Sequence, residues 1–124
     1  MKVRNIKISV GDITLTATLN VSNTSDLIWS ALPINALANR WGDEIYFKTN
    51  ITAEEDDSME IVDAGDLGYW PPGQAICIFF GPTPASIGNE IRPASPVNIV
   101  GKIKCNPSVL KIVQSNELIL VERD

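Results

Sequence analysis

The residues of this chain best equipped for chemistry are Trp41, Glu44, Tyr46 and Lys48, joined further along by the pair Tyr69-Trp70 and by Arg92. Aromatic rings offer an amphipathic surface to an apolar or prolyl ligand, with Glu44, Lys48 or Arg92 as its polar anchor. The same rings suit core packing beneath a Pro71-Pro72-Gly73 corner, so Trp41 and Trp70 also read as interior residues. Tyr46 and Tyr69 carry hydroxyls that want water or a partner. No histidine occurs anywhere. That absence removes His-dependent triads, His-rich zinc sites and the commonest near-neutral general base.

Other clusters have plainer readings. Cys77 lies inside the apolar run Ala75 to Phe80 and Cys105 far beyond it, without a Cys-x-x-Cys pair or an activating base, so both read as inert thiols. Glu54 to Asp57 lacks the alternating oxygens, glycine and distal glutamate of a calcium loop and reads as a solvated connection. Asp63 and Asp66 flank Gly65 as ordinary turn companions. Gly65-x-x-Gly68 has neither the following helix nor the lysine of a phosphate-binding loop. No metal site and no cofactor is expected.

With 124 residues, 44% of them hydrophobic and 20% charged, the chain is expected to form one domain over residues 1–124 with a real core. No uncharged apolar run approaches the ~20 residues that span a bilayer, so no membrane partner is expected. The net charge of −5 leaves no basic stripe for phosphates, and nucleic acid is excluded as an expected partner. Met1 to Val10 alternates charged and apolar residues instead of forming the apolar run of a secretory signal, which points to the cytoplasm. Asn20, Asn23 and Asn50 begin Asn-x-Ser/Thr triplets, but nothing indicates that they meet the secretory pathway.

The elements that must position these residues are short. Ile6, Ile8 and Val10 fall opposite Ala17, Leu15 and Ile13 if Gly11-Asp12 is a two-residue hairpin loop, giving one dry and one wet face. A helix over 24–32 follows, with Asn23 as N-cap, an apolar stripe of Leu27, Ile28, Ala31 and Leu32, and Pro33 as its stop. Strands are expected over 34–38, 44–48, 59–62 and 67–70. Ala75 to Phe80 shows no polar alternation and reads as a strand covered on both faces. A further strand over 96–104 is expected to place Val97, Ile99, Gly101 and Ile103 on one face, with Gly101 marking a bulge or a close backbone approach. Asn106-Pro107 starts a second helix to Gln114 that buries Val109, Leu110 and Val113, and 118–121 is the last strand. Many short strands with two short helices predict a mainly β, closed barrel.

Specific stretches carry a family likeness. Trp41 to Phe47, Gly65 to Gly73, Phe79-Phe80-Gly81 and Pro93 to Ile103 resemble the small bacterial and archaeal cyclophilin-like domains, over essentially the whole chain. The resemblance implies a compact cyclophilin-type β-barrel whose biochemical function is largely unassigned. Phe79-Phe80 and Val100-Gly101-Lys102-Ile103 look like the Phe-Phe core strand and the later Phe-Gly-Lys-Val of the peptidyl-prolyl isomerases. Where those enzymes carry Phe-His-Arg, this chain reads Tyr46-Phe47-Lys48-Thr49, and the span to the Phe-Phe strand is much shorter. Activity does not follow from the fold.

Two functions from different classes follow. The first is a binding domain for a small molecule or proline-containing peptide at Trp41, Glu44, Tyr46, Lys48, Tyr69, Trp70 and Arg92, without the isomerase arginine. The alternative is a small enzyme. It would be a divergent prolyl isomerase using Lys48 or Arg92, or a lyase or hydrolase pairing a carboxylate with Tyr46 or Tyr69. A purely structural oligomer subunit is a third reading.

Overall fold

A computed structural model describes residues 4–124. It has nine strands: β1 (Arg4–Val10), β2 (Ile13–Leu19), β3 (Ile34–Leu37), β4 (Asn39–Arg40), β5 (Glu44–Lys48), β6 (Asp66–Trp70), β7 (Ala75–Phe79), β8 (Asn98–Ile103) and β9 (Leu118–Arg123). One helix, α1 (Asn23–Ala31), follows β2, and 3-10 turns occupy Pro71–Gly73 and Pro107–Ile112. The strands form one antiparallel sheet in the order β3-β9-β1-β2-β8-β6-β7-β5-β4.

That order forces curvature. β3 and β4 lie at opposite edges of the sheet, yet only Ala38 separates them in sequence. The edges must therefore curl towards each other, and β3 approaches β5 across the seam of a nearly closed barrel. Ala38 is fully buried at this corner; its N–H donates to the Glu117 carbonyl and its own carbonyl accepts from Asn116 N–H. Curling the sheet leaves few open edges.

The first hairpin has the expected register, Ile6 with Ala17, Ile8 with Leu15 and Val10 with Ile13, and Gly11 takes a φ of +54° in the loop. Its dry face enters the barrel with Ile45 and Phe47 of β5, Leu67 and Tyr69 of β6, Ile76 and Ile78 of β7, and Ile119 and Val121 of β9. Each such aliphatic or aromatic side chain contributes about 1.5–3 kcal/mol by leaving water. Ile28 of α1 joins this core.

Local details depart from the sequence reading. The N-cap of α1 is Ser22, whose Oγ accepts from Ser25 N–H, so the helix starts one residue early and Asn23 is already inside it. Its buried face is Thr24, Ser25 and Ile28, with Leu27 left exposed, because Ser25 Oγ reaches the Val100 carbonyl at 2.9 Å and fixes the rotation of the helix. The expected strand 59–62 is reduced to two bridges, Met59 with Val97 and Val62 with Ile91. The second helix is a 3-10 turn, capped by Asn106 as expected; it buries Leu110, and Val113 just beyond it is buried while Val109 remains exposed. The acidic stretch 54–57 is exposed, but its backbone is tied down by buried Asn98, which accepts from Asp56 N–H and donates to the Glu54 carbonyl and to Thr24 Oγ1.

β8 does not keep one apolar face. A register shift against β6 skips Val100, so Val97 and Ile99 pack in a second apolar cluster while Val100 and Ile103 turn into the barrel. Gly101 sits at a close approach of β8 to β2: a Cβ there would lie 2.3 Å from the Thr18 carbonyl oxygen. Gly101→Ala is expected to cost about 3 kcal/mol, the upper end of over-packing penalties. Urea unfolding at neutral pH measures it, and an unchanged midpoint would show that β2 and β8 separate freely.

Candidate functional site

The outer face of β5 and β7 decides where the candidate residues meet. Glu44 pairs with Phe79 and Tyr46 with Cys77, and these four side chains share the face that points away from the barrel core. The second apolar cluster covers this face, with Val62, Cys77, Phe79, Ile91 and Val97 buried and Tyr46, Trp70 and Ile99 packed against it. Both faces of β7 are therefore covered, as its unbroken apolar sequence requires.

Between the cluster and solvent lies a cavity of about 260 Å³, walled by Trp41, Tyr46, Trp70, Pro93, Ala94 and Val97, with Glu44 and Cys77 contributing the remaining wall. The tip of the β4–β5 hairpin delivers Trp41 and Glu44. These two exchange both backbone hydrogen bonds, Trp41 N–H to Glu44 carbonyl at 2.9 Å and the reverse at 3.2 Å. Gly42 makes the turn at φ +63°, with no room for a side chain against Pro82, Thr83 and Pro84.

Arg40 locks the hairpin. Its guanidinium donates to the carbonyls of Gly42, Lys111 and Val113 and pairs with Asp43 at 2.9 Å, while lying 4.9 Å from the centre of the Phe80 ring. On the other side of the cavity Trp70 Nε1 donates to Ser95 Oγ at 2.5 Å, holding the segment from Pro93 to Ser95 over the opening.

Glu44 is the unusual member. It is 5% exposed, and its Oε1 is buried with no hydrogen-bond partner among the described residues. Burial disfavours the carboxylate and pushes the pKa up to about 7, and the neighbouring Cys77 thiol holds part of that rise back by hydrogen bonding. Cys77, 2% exposed, is pushed in the same direction by burial first and by the Glu44 charge second, so it remains a thiol. Glu44 is thus a proton-exchanging group poised near neutrality in a largely apolar wall, which can donate or accept a hydrogen bond.

Four of the seven sequence-derived candidates, Trp41, Glu44, Tyr46 and Trp70, meet at this cavity. Tyr69 does not, because successive strand residues face opposite ways: it is fully buried in the barrel and donates to the Ile51 carbonyl. Lys48 lies on the exposed end of β5, in an open cleft of about 550 Å³ beside Pro33, Asn35 and Asn50, where none of the described residues is a buried titratable group. Arg92 lines a neighbouring depression behind Pro93 and Ala94 and is paired with Glu90 at 2.6 Å. Cys77, read from sequence as an inert interior thiol, is buried as expected, but it also touches the site by its contact with Glu44. Among the described residues no three Cys, Asp or Glu side chains gather to hold a metal, and Asp63 and Asp66 make a turn in which Asp66 accepts from Asp63 N–H.

The sequence model of the cyclophilin-like family matches residues 4–122. The chain belongs to the cyclophilin-like family. A hypothetical protein from Archaeoglobus fulgidus, known from its solution structure, is 41% identical, with a TM-score of 0.83 over 98% of this chain and 95% of that one. No curated protein matches the chain. This establishes a cyclophilin-like barrel and assigns it no activity. Among the described residues no helix is long and apolar enough to cross a membrane.

The buried acid has a stability signature. Its folded pKa lies above the ordinary value of 4.5, so the native state holds a proton that the unfolded chain releases first. Stability is therefore greatest below pH 4.5 as far as this group is concerned, and falls as pH rises to about 7. Glu44→Gln is expected to be neutral near pH 4.5 and to stabilise the protein by roughly 2–3 kcal/mol at pH 8. Denaturant unfolding of both proteins across this range reads the difference, and parallel curves would mean that Glu44 is well solvated.

Proposed function

We propose that this cyclophilin-like domain is a binding module for a small molecule, or the side chain of an extended proline-containing peptide, held in the cavity above Glu44. The observation that carries the reading is the unpartnered, buried Oε1 in a wall otherwise made of aromatic and aliphatic side chains. A buried polar atom without a partner costs about 1–3 kcal/mol, and a ligand that supplies the missing hydrogen bond recovers it. A few convergent polar groups in an apolar hollow are the ordinary make-up of a ligand site.

An isomerase would need a cation beside the prolyl group as its imide twists. Lys48 is at the far end of β5 and Arg92 is engaged by Glu90, which favours binding over catalysis. The same proposal includes a cytoplasmic setting and excludes nucleic acid, given the charge of −5.

Titration with a panel of small metabolites and proline-containing tetrapeptides, followed by backbone and indole NMR shifts, tests the proposal. Perturbations are expected at Trp41, Glu44, Tyr46 and Trp70, whereas shifts confined to the Lys48 cleft would contradict the placement. Prolyl cis/trans exchange in the same peptides is expected to proceed at its uncatalysed rate. Acceleration that disappears in Lys48→Ala or Arg92→Ala would instead establish the enzyme.

A further inference from the structure

The cavity discriminates by charge as well as by shape. The titratable groups facing Glu44 are the Cys77 thiol from β7 and the Tyr46 phenol from its own strand, while β6 brings Trp70 and the segment after Arg92 brings Pro93, Ala94 and Val97. Among the described residues no lysine or arginine lines the cavity. The two nearby guanidiniums are both occupied, Arg40 by Asp43 and Arg92 by Glu90. An anion would find no counter-charge there and would meet a carboxyl group and a protein of charge −5.

A cation finds the opposite. Three aromatic residues, Trp41, Tyr46 and Trp70, wall the space, and aromatic rings attract positive charge, tryptophan most strongly. The Glu44 oxygen without a partner supplies a single negative pole. A volume of about 260 Å³ is below the ~300–1,000 Å³ of drug-sized sites, which suits a compact ligand.

We propose that the cavity walled by Trp41, Tyr46 and Trp70 over Glu44 takes a small organic cation, an alkyl- or methylammonium group. The inference deepens the binding reading above and rests on it. Binding couples to a proton: a cation requires the carboxylate, so the acid must release its proton before or as the ligand enters. With Glu44 titrating at about 7 in the free protein, cation affinity rises with pH through neutrality. A neutral ligand accepting a hydrogen bond from the protonated acid would show the reverse dependence.

Choline and its uncharged isostere 3,3-dimethyl-1-butanol separate charge from shape. Titrations at constant ionic strength, followed by tryptophan fluorescence and by NMR shifts of the cavity residues, give affinities for both. At pH 8 choline is expected to bind at least about tenfold more tightly than the alcohol, because only the cation gains from the rings and the carboxylate. Its affinity should fall about tenfold between pH 8 and pH 6 as Glu44 takes up its proton. In Glu44→Gln the pH dependence should vanish and the preference for choline should shrink to what the rings alone supply. Trp41→Leu, which keeps an apolar wall, should weaken choline selectively. Equal or tighter binding of the alcohol overturns the inference and leaves the binding reading standing. So does silence from both probes when other metabolites or peptides shift the cavity residues. If nothing in either panel shifts them, both fall.

Discussion

One connection constrains the whole molecule. β3 and β4 occupy opposite edges of a nine-stranded sheet and are joined through Ala38 alone, so the sheet can satisfy its chain only by curling. The curl gathers the alternating apolar residues of β1, β2, β5 to β9 into one interior. It leaves the outer face of β5 and β7 with a problem, since Cys77 and Phe79 are apolar there too. The chain solves it with irregular segments rather than a second sheet. The bridges at Met59 and Val62 and the loop before β8 fold over that face, and the gap they leave is the cavity.

The chemistry of the cavity follows from this cover. A glutamate at the head of a strand is normally solvated, and Glu44 is not, because the hairpin turn at Gly42 is pressed against the segment from Pro82 to Pro84 while Arg40 clamps it from beside. The acid is thereby committed to an apolar wall at a cost that shows in its raised proton affinity. Structural needs alone do not call for a carboxyl group at that point. Glutamine would fill the same space without the ionisation cost, and the ligand proposed for the cavity would put the charge or the proton to use.

The fold was largely legible because period-two patterns specify register. Ile6, Ile8 and Val10 could sit only against Ala17, Leu15 and Ile13, and the unbroken apolar run of β7 marked a strand covered on both faces. The site was legible in part. Trp41, Glu44, Tyr46 and Trp70 were nameable as candidates from residue type, but which of them converge depends on strand pairing, and adjacent Tyr69 and Trp70 had to face opposite sides of one strand. The role of Cys77 beside Glu44 arises across two strands, between residues 33 positions apart in sequence, and has no local signal. The faces of β8 and the rotation of α1 were set by a bulge at Val100 and by the Ser25 hydroxyl, tertiary contacts that periodicity does not encode.

The chemistry of the cavity depends on the protonation of a single buried side chain. Direct observation of the Glu44 side-chain carboxyl carbon by NMR, with the unligated protein titrated from pH 4 to pH 9, measures it without reference to stability or ligand. The resonance is expected to move with a midpoint of about 7, well above the ordinary value of 4.5. A midpoint close to 4.5 would place that carboxyl group in water and remove the physical basis of the site.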